Sequence, residues 1–439
     1  MKVGIISLGC PKNQIDAEHM LALLDSDGFE IVDYYDGADA VIINTCGFID
    51  AAKEEAVENI LEIIDLKNDG IIGKIIVSGC LAELHKDEIS KEFPEVDAVI
   101  GIGAVGNICE IVKNTVEGNA ENSFPDKSEL PLDGQRIITS PGYWAYLKIA
   151  DGCNNRCTYC TIPQIRGNFR SRKKESILEE ARALAENGVK ELVLVAQDTT
   201  NYGSDIYGEL MLPRLLEELS MIDGIKWIRM LYCYPDKVTD ELIDVMARNP
   251  KVLPYIDLPL QHADDKILRA MNRKGTQEEI RSLILRLRER LPDVVIRTTF
   301  ITGFPGEEEE EFDTLAAFVN EMEFDRLGCF SFSPQEGTPA FSMDNQVDEQ
   351  VKIDRGEIIM QDQLSIVELK NSEKVGKTYE VLVEGYDGYS DSYYGRTYMD
   401  APEIDGKVSF TGPDEYFEGE FVNVEIIGVN EYDLIGRVV

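Results

Sequence analysis

The chain has 439 residues, 44% of them hydrophobic and 28% charged, which is enough apolar material for well-formed cores and too much for a disordered chain. Its 82 acidic residues outnumber 43 basic ones, giving a formal charge of −39; such a surface repels nucleic acid and attracts basic protein, although acidity also serves solubility or a salty habitat. Nine cysteines lack the density of a secreted framework, the apolar run before Cys10 is too short for a signal peptide, and no stretch approaches the ~18 apolar residues of a membrane helix, so a reducing cytoplasm is expected and a membrane is not.

The first 118 residues read as an alternating β/α unit. Short apolar runs at 3–7, 40–44 and 74–78 have the character of buried parallel strands, and each is followed by a helical pattern. Each strand ends in a cysteine beside a glycine: Leu8-Gly9-Cys10, Thr45-Cys46-Gly47 and Ser78-Gly79-Cys80. Ligands of an open parallel sheet bind beyond the carboxyl ends of its strands, so three cysteines at three such ends are expected to converge. Glycine there permits tight turns and the close backbone approach that a bulky inorganic cluster needs. The competing reading of each cysteine singly is a small buried hydrophobe, and that is the reading given to Cys109, Cys233 and Cys329, which lack this context.

Residues 119–143 are polar and rich in breakers, and are expected to form an exposed linker that lets the flanking units face each other. A strand pattern at 144–149 then leads into Gly152-Cys153-Asn154-Asn155-Arg156-Cys157-Thr158-Tyr159-Cys160. The C-x3-C-x2-C spacing lets three thiolates wrap one small object and leaves a position open, as when a 4Fe-4S cubane is held by three cysteines. A structural zinc would call for a second ligand pair downstream, which is absent within thirty residues, and three cysteines this close are poor disulfide partners in a chain without a secretion signal.

This loop resembles the signature of the radical S-adenosylmethionine enzymes. The resemblance implies that the cofactor chelates the free iron and is cleaved to a 5'-deoxyadenosyl radical that abstracts hydrogen. Together with Asn44-Thr45-Cys46, Ser78-Gly79-Cys80 and Gly9-Cys10-Pro11-Lys12-Asn13, the chain is similar to the methylthiotransferase family over essentially its whole length. That likeness implies two 4Fe-4S clusters, one on Cys10, Cys46 and Cys80 carrying the sulfur to be methylated, the other on Cys153, Cys157 and Cys160 making the radical, with S-adenosyl-L-methionine as cofactor.

Further strand patterns at 191–196, 227–231, 255–258, 294–300 and 327–331, with helical patterns between, predict a partial (β/α)6 TIM-like barrel over 144–371 whose site lies at the carboxyl ends of the strands. Polar residues just after strands are therefore candidates for the cofactor and substrate cavity: Gln197 and Asp198, Gln261 and His262, and Gly303 and Glu307 within Thr302-Gly303-Phe304-Pro305-Gly306-Glu307. Pro259-Leu260-Gln261-His262 and the segment ending at Glu307 also resemble family motifs, while His262 equally reads as a satisfied structural histidine. The basic run Arg166, Arg170, Arg172, Lys173 and Lys174 reads either as recognition of a cofactor or substrate carboxylate or as a solvated lead-in to a helix.

After a long helical pattern to 371, five short strand patterns in 372–439, separated by Gly, Asp and Pro, predict a small antiparallel β-barrel that matches the TRAM domain of methylthiotransferases. The fold class is thus α/β, an open parallel sheet, a partial barrel and an appended β-barrel. Such barrels generally bind RNA, but from 371 onward fifteen acidic residues face five basic ones, which opposes a phosphate backbone. The resemblance and the charge together favour the branch that modifies an aspartate of small-subunit ribosomal protein S-twelve, a basic partner, with an electron donor and the enzyme as a monomer. Methylthiolation of a transfer RNA adenosine and a non-enzymatic iron-sulfur carrier are the alternatives.

Overall fold

The computed structural model describes residues 1–33, 35–47 and 49–439. Its first sheet contains β1 (Lys2–Ser7), β2 (Glu30–Ile31), β3 (Ala40–Thr45), β4 (Lys74–Gly79) and β5 (Ala98–Val99), all parallel, in the order β2-β1-β3-β4-β5. The two strands that the sequence pattern did not predict are the two-residue edges, too short to leave a period. The central strands are apolar throughout because helices cover both faces: Ile42 packs with Met20 and Leu24, while Ile43 on the opposite face packs with Ile60 and Ile64. Their registers put Ser7, Asn44 and Ser78 side by side, so the three carboxyl ends stop at one level.

The second sheet begins at β6 (Trp144–Lys148), which is followed by a small antiparallel ribbon of β7 (Ala150–Asp151) and β8 (Arg170–Ser171) flanking the cysteine loop. It continues with β9 (Glu191–Val195), β10 (Trp227–Met230), β11 (Val252–Gln261), β12 (Val295–Thr302) and β13 (Arg326–Ser331) in the order β6-β9-β10-β11-β12-β13, every pair parallel. Helices such as Lys174–Glu186 and Gln277–Arg290 cover one face, the latter started by a capping box of Thr276 and Glu279.

The tail closes into a barrel of β14 (Thr378–Asp387), β15 (Ser392–Arg396), β16 (Val408–Thr411), β17 (Phe421–Asn430) and β18 (Asp433–Val438), in the ring order β14-β15-β16-β18-β17. Four junctions are antiparallel and the β16–β18 junction is parallel. A ring with an odd number of strands cannot alternate direction all the way round, so one parallel pair is unavoidable.

This barrel plugs the amino-terminal half of the second sheet's inner face. Arg396 pairs with Glu191 at 2.8 Å, Tyr146 donates to Glu403 at 3.2 Å, Tyr255 donates to Asp405 at 2.6 Å, and Arg229 donates to the Tyr398 carbonyl at 2.8 Å. The carboxyl ends of the strands are left to the cysteine loop and the first sheet. Among the described residues no helix is long and apolar enough to cross a membrane.

Candidate active site

Cys10 caps the amino terminus of the helix Pro11–Ser26, Cys46 directly follows β3, and Cys80 opens the helix Cys80–Glu92 after β4. Gly9, with φ +88°, leaves no room for a side chain: a Cβ there would lie 2.5 Å from Cys46 Cβ and 2.8 Å from its sulfur. Asn13 ties the strand ends together, its amide donating to the carbonyls of Leu8 at 2.7 Å and of Asn44 and Thr45 at 3.2 Å each. Burial pushes the Cys80 thiol up to about 12, with Arg166 pulling against it and Cys10 and Cys46 adding to it.

The second group lies in the loop between β7 and β8. The Cys153 amide donates to the Gly167 carbonyl at 3.2 Å and the Cys160 amide to the Cys157 carbonyl at 3.1 Å, while the amide of Asn155 points at Cys153 sulfur at 3.5 Å. Cys157 sulfur faces the Tyr234 hydroxyl at 3.6 Å and an Arg273 nitrogen at 4.0 Å, and that guanidinium stacks 3.9 Å over the Tyr234 ring. Burial raises the Cys160 thiol well above its ordinary value, and its neighbour Cys157 adds to the effect. Asn272 grips the far side of the loop through the carbonyls of Asn155 at 3.3 Å and Arg156 at 2.9 Å.

A buried ion cluster joins the two groups. Arg166 and Lys148 share Asp16 and Asp151: Arg166 at 2.6 and 3.1 Å, Lys148 at 2.7 and 3.2 Å, all four side chains at most 3% exposed. The same guanidinium reaches Asn13 at 3.4 Å and Cys80 sulfur at 3.9 Å, and Asp151 accepts the Gly152 amide at 2.7 Å, one residue before Cys153. Burial opposes charge on Asp151, but Arg166 and then Lys148 overcome it and hold the carboxyl down at about 2. Within the basic run, Arg166, Arg172 and Lys174 thus bind carboxylates of the chain itself, and Arg170 binds its backbone. Arg172 pairs with Asp133 and Glu180 at 2.8 and 2.6 Å, Arg170 donates to the carbonyls of Lys127, Ser128 and Leu130, and Lys174 pairs with Glu218 at 2.6 Å. The segment 119–143 is thus exposed along much of its length but pinned, and Arg136 within it bridges Glu18 and Glu180.

Gln197 donates to Asp151 at 3.2 Å, and Asp198 accepts from Asn155 at 2.7 Å and pairs with Lys237, so both stand against the cysteine loop. Gln261 ends β11 in a left-handed conformation, φ +73°. His262 is fully buried with both ring nitrogens taken up: Nδ1 accepts the Asp264 amide at 3.0 Å, so Nε2 carries the proton given to Glu307 at 3.1 Å. Glu307 also accepts the Gly303 amide and Arg355, each at 2.9 Å. Hydrogen bonds among His262, Gly303 and Glu307, completed by the Asp264 amide and Arg355, shape the loop after β12.

Each group offers three thiols, the donor type that holds an iron-sulfur cluster. Among the described residues no three His, Cys, Asp or Glu side chains stand close enough to grip one metal ion, whereas a cubane spreads its thiolates over separate irons. Ser78 Oγ beside the first group, and Thr161 Oγ1 and Gln197 Oε1 beside the second, are buried without a hydrogen-bond partner, as expected where a ligand completes the set. The sequence pattern did not point to Tyr234 and Arg273, because aromatic and cationic neighbours of a sulfur carry no spacing signal.

Residues 2–101 match the model of an uncharacterized protein family, UPF0004, residues 147–319 that of the radical SAM superfamily, and residues 375–439 that of the TRAM domain. The chain is 49% identical over 446 aligned residues to a ribosomal protein uS12 methylthiotransferase RimO of Acetivibrio thermocellus, covering 100% of this chain and 98% of the relative. It is 50% identical to the protein of that name in a Thermoanaerobacter species, with 99% of each covered. Among solved structures, the radical S-adenosylmethionine methyltransferase TsrM of Kitasatospora setae shares the fold, with TM-score 0.59 at 16% identity over 77% of this chain and 75% of that one.

Proposed function

Since this chain belongs to the RimO family of ribosomal protein uS12 methylthiotransferases, we infer that it inserts a methylthio group at the β-carbon of an aspartate of that small-subunit protein by radical SAM chemistry. Membership of the radical SAM superfamily brings S-adenosyl-L-methionine and one 4Fe-4S cluster, for which Cys153, Cys157 and Cys160 are the ligands we assign. A second 4Fe-4S cluster on Cys10, Cys46 and Cys80 is the finer part of the reading. Bound there, the two clusters and the cofactor supply reducing electrons, a hydrogen-abstracting radical and the sulfur to be transferred.

The observation that carries this reading is the ion cluster of Arg166, Asp16, Lys148 and Asp151, which ties one thiol group to the other through a handful of buried bonds. The chain's own side chains then have defined tasks. Arg166 beside Cys80 and Arg273 beside Cys157 place cations next to sulfurs that must be thiolates when a metal centre is bound. Gln197 and Asp198 fix the wall beside the cysteine loop, and the His262, Gly303 and Glu307 knot holds the opposite loop in shape for the cofactor, with Gln261 at its edge. The units proposed for these tasks are 1–118, a connecting segment 119–143, 144–371 and 372–439.

A basic protein suits the tail better than RNA does. Of the tail's five cations, Arg396 is buried on Glu191 and Glu384 and Arg437 is paired with Glu425, so few are left to meet a phosphate backbone. We assign cytoplasmic location, a monomer and an external electron donor as part of the same reading. The test is to give anaerobically reconstituted protein, with S-adenosyl-L-methionine and a reductant, either uS12 or transfer RNA and to follow methylthio mass by mass spectrometry. Mass on uS12 supports the reading; mass on RNA alone overturns it.

A further inference from the structure

Lys12 is only 6% exposed, yet among the described residues no carboxylate lies within 4.0 Å of its ammonium. Asp16, one helical turn on, is occupied by Lys148 and Arg166. The ammonium instead sits 3.2 Å over the ring of Tyr232. A cation taken out of water is retained when a partner compensates it, and an aromatic face compensates only part of a full charge.

Its position is informative. Lys12 lies in the first turn of the helix that Cys10 caps, and its stacking on Tyr232 brings that turn against the second sheet. Tyr232 follows β10 at the carboxyl end of the second sheet, where its amide is held by Asp257 at 2.8 Å. Two residues later, Tyr234 touches Cys157. The segment 232–234 thus spans from one thiol group to the other, and Lys12 stands at the seam.

We propose that Lys12, backed by the ring of Tyr232, binds the side-chain carboxylate of the aspartate that is to be modified. This rests on the function inferred above. The carbon that reacts in an aspartate is bonded directly to the carboxylate carbon, so an anchor for the carboxylate at the seam leaves that carbon within reach of both sites. A nucleobase offers no anion to this ammonium.

The test measures binding of uS12, and of uS12 with its aspartates replaced by asparagine, to the full-length reconstituted protein. Wild type is expected to favour the aspartate form roughly tenfold to a hundredfold, as for hydrogen bonds to a charged group. Lys12→Met and Lys12→Gln should lose that preference, Lys12→Arg should keep most of it, and all should retain wild-type iron content. A preference that survives in both uncharged variants, or is missing in wild type that does methylthiolate uS12, overturns the assignment and leaves the function standing. Wild type that does not modify uS12 at all overturns both.

Discussion

One nitrogen of Arg166 lies 3.9 Å from the sulfur of Cys80 while the other bonds Asp151 at 3.1 Å, so a single guanidinium spans from one cysteine group to the strand that launches the other. That strut is invisible in the composition of either segment, since Arg166 and its partner Asp16 are 150 residues apart.

Removing the strut should be costly. Arg166→Met leaves Asp16 and Asp151 sharing only Lys148 in a dry interior, and breaking a buried pair of this kind costs about 3–5 kcal/mol. Chemical denaturation of the variant should show that loss, and Arg166→Lys should recover part of it. A midpoint unchanged from wild type contradicts the ion cluster described above.

The tight approach at Gly9 yields a selective lesion. Gly9→Ala places a methyl group against Cys46 and asks a left-handed backbone of a residue with a Cβ, a conformational cost of ~1–2 kcal/mol before the clash is counted. Iron bound at the first group should fall while cleavage of S-adenosyl-L-methionine at the second persists. Iron and acid-labile sulfide assays, read beside 5'-deoxyadenosine production, separate the two effects.

His19 predicts a pH dependence. Burial, with help from Lys148 and Arg136, lowers its pKa from 6.5 to about 4. Between those values the unfolded chain takes up a proton that the native chain refuses, so stability falls as pH falls through that window, by roughly 3 kcal/mol at its acid end. Urea midpoints from pH 7 to 4 should decline less steeply in His19→Gln, which keeps a donor for the Gln135 carbonyl 3.1 Å away.

The acidic tail predicts weak affinity for nucleic acid. Full-length protein should give no salt-sensitive gel shift of transfer RNA near physiological ionic strength, because its net charge of −39 repels a phosphate backbone and the tail offers few cations to displace counterions. A shift that weakens steeply with salt points to the RNA alternative.

Much of this arrangement was legible in the chain. Runs such as Ala-Val-Ile-Ile at 40–43 announce strands buried on both faces, and the rule that ligands bind beyond strand ends already drew Cys10, Cys46 and Cys80 together. The roles of the basic run were not legible. Arg166, Arg170 and Arg172 look alike in sequence, and only tertiary partners separate an ion-cluster residue from clamps on the connecting segment. The sequence leaves His262 two readings, and its ring nitrogens are both satisfied within the chain, by the Asp264 amide and Glu307.

The most direct test of the account counts the metal centres. Anaerobically reconstituted protein, examined by Mössbauer spectroscopy with iron and sulfide analysis, should hold two 4Fe-4S clusters, one lost on replacing Cys10, Cys46 and Cys80 with alanine and the other on replacing Cys153, Cys157 and Cys160. A single cluster in the wild type, unaffected by the first set of replacements, contradicts it.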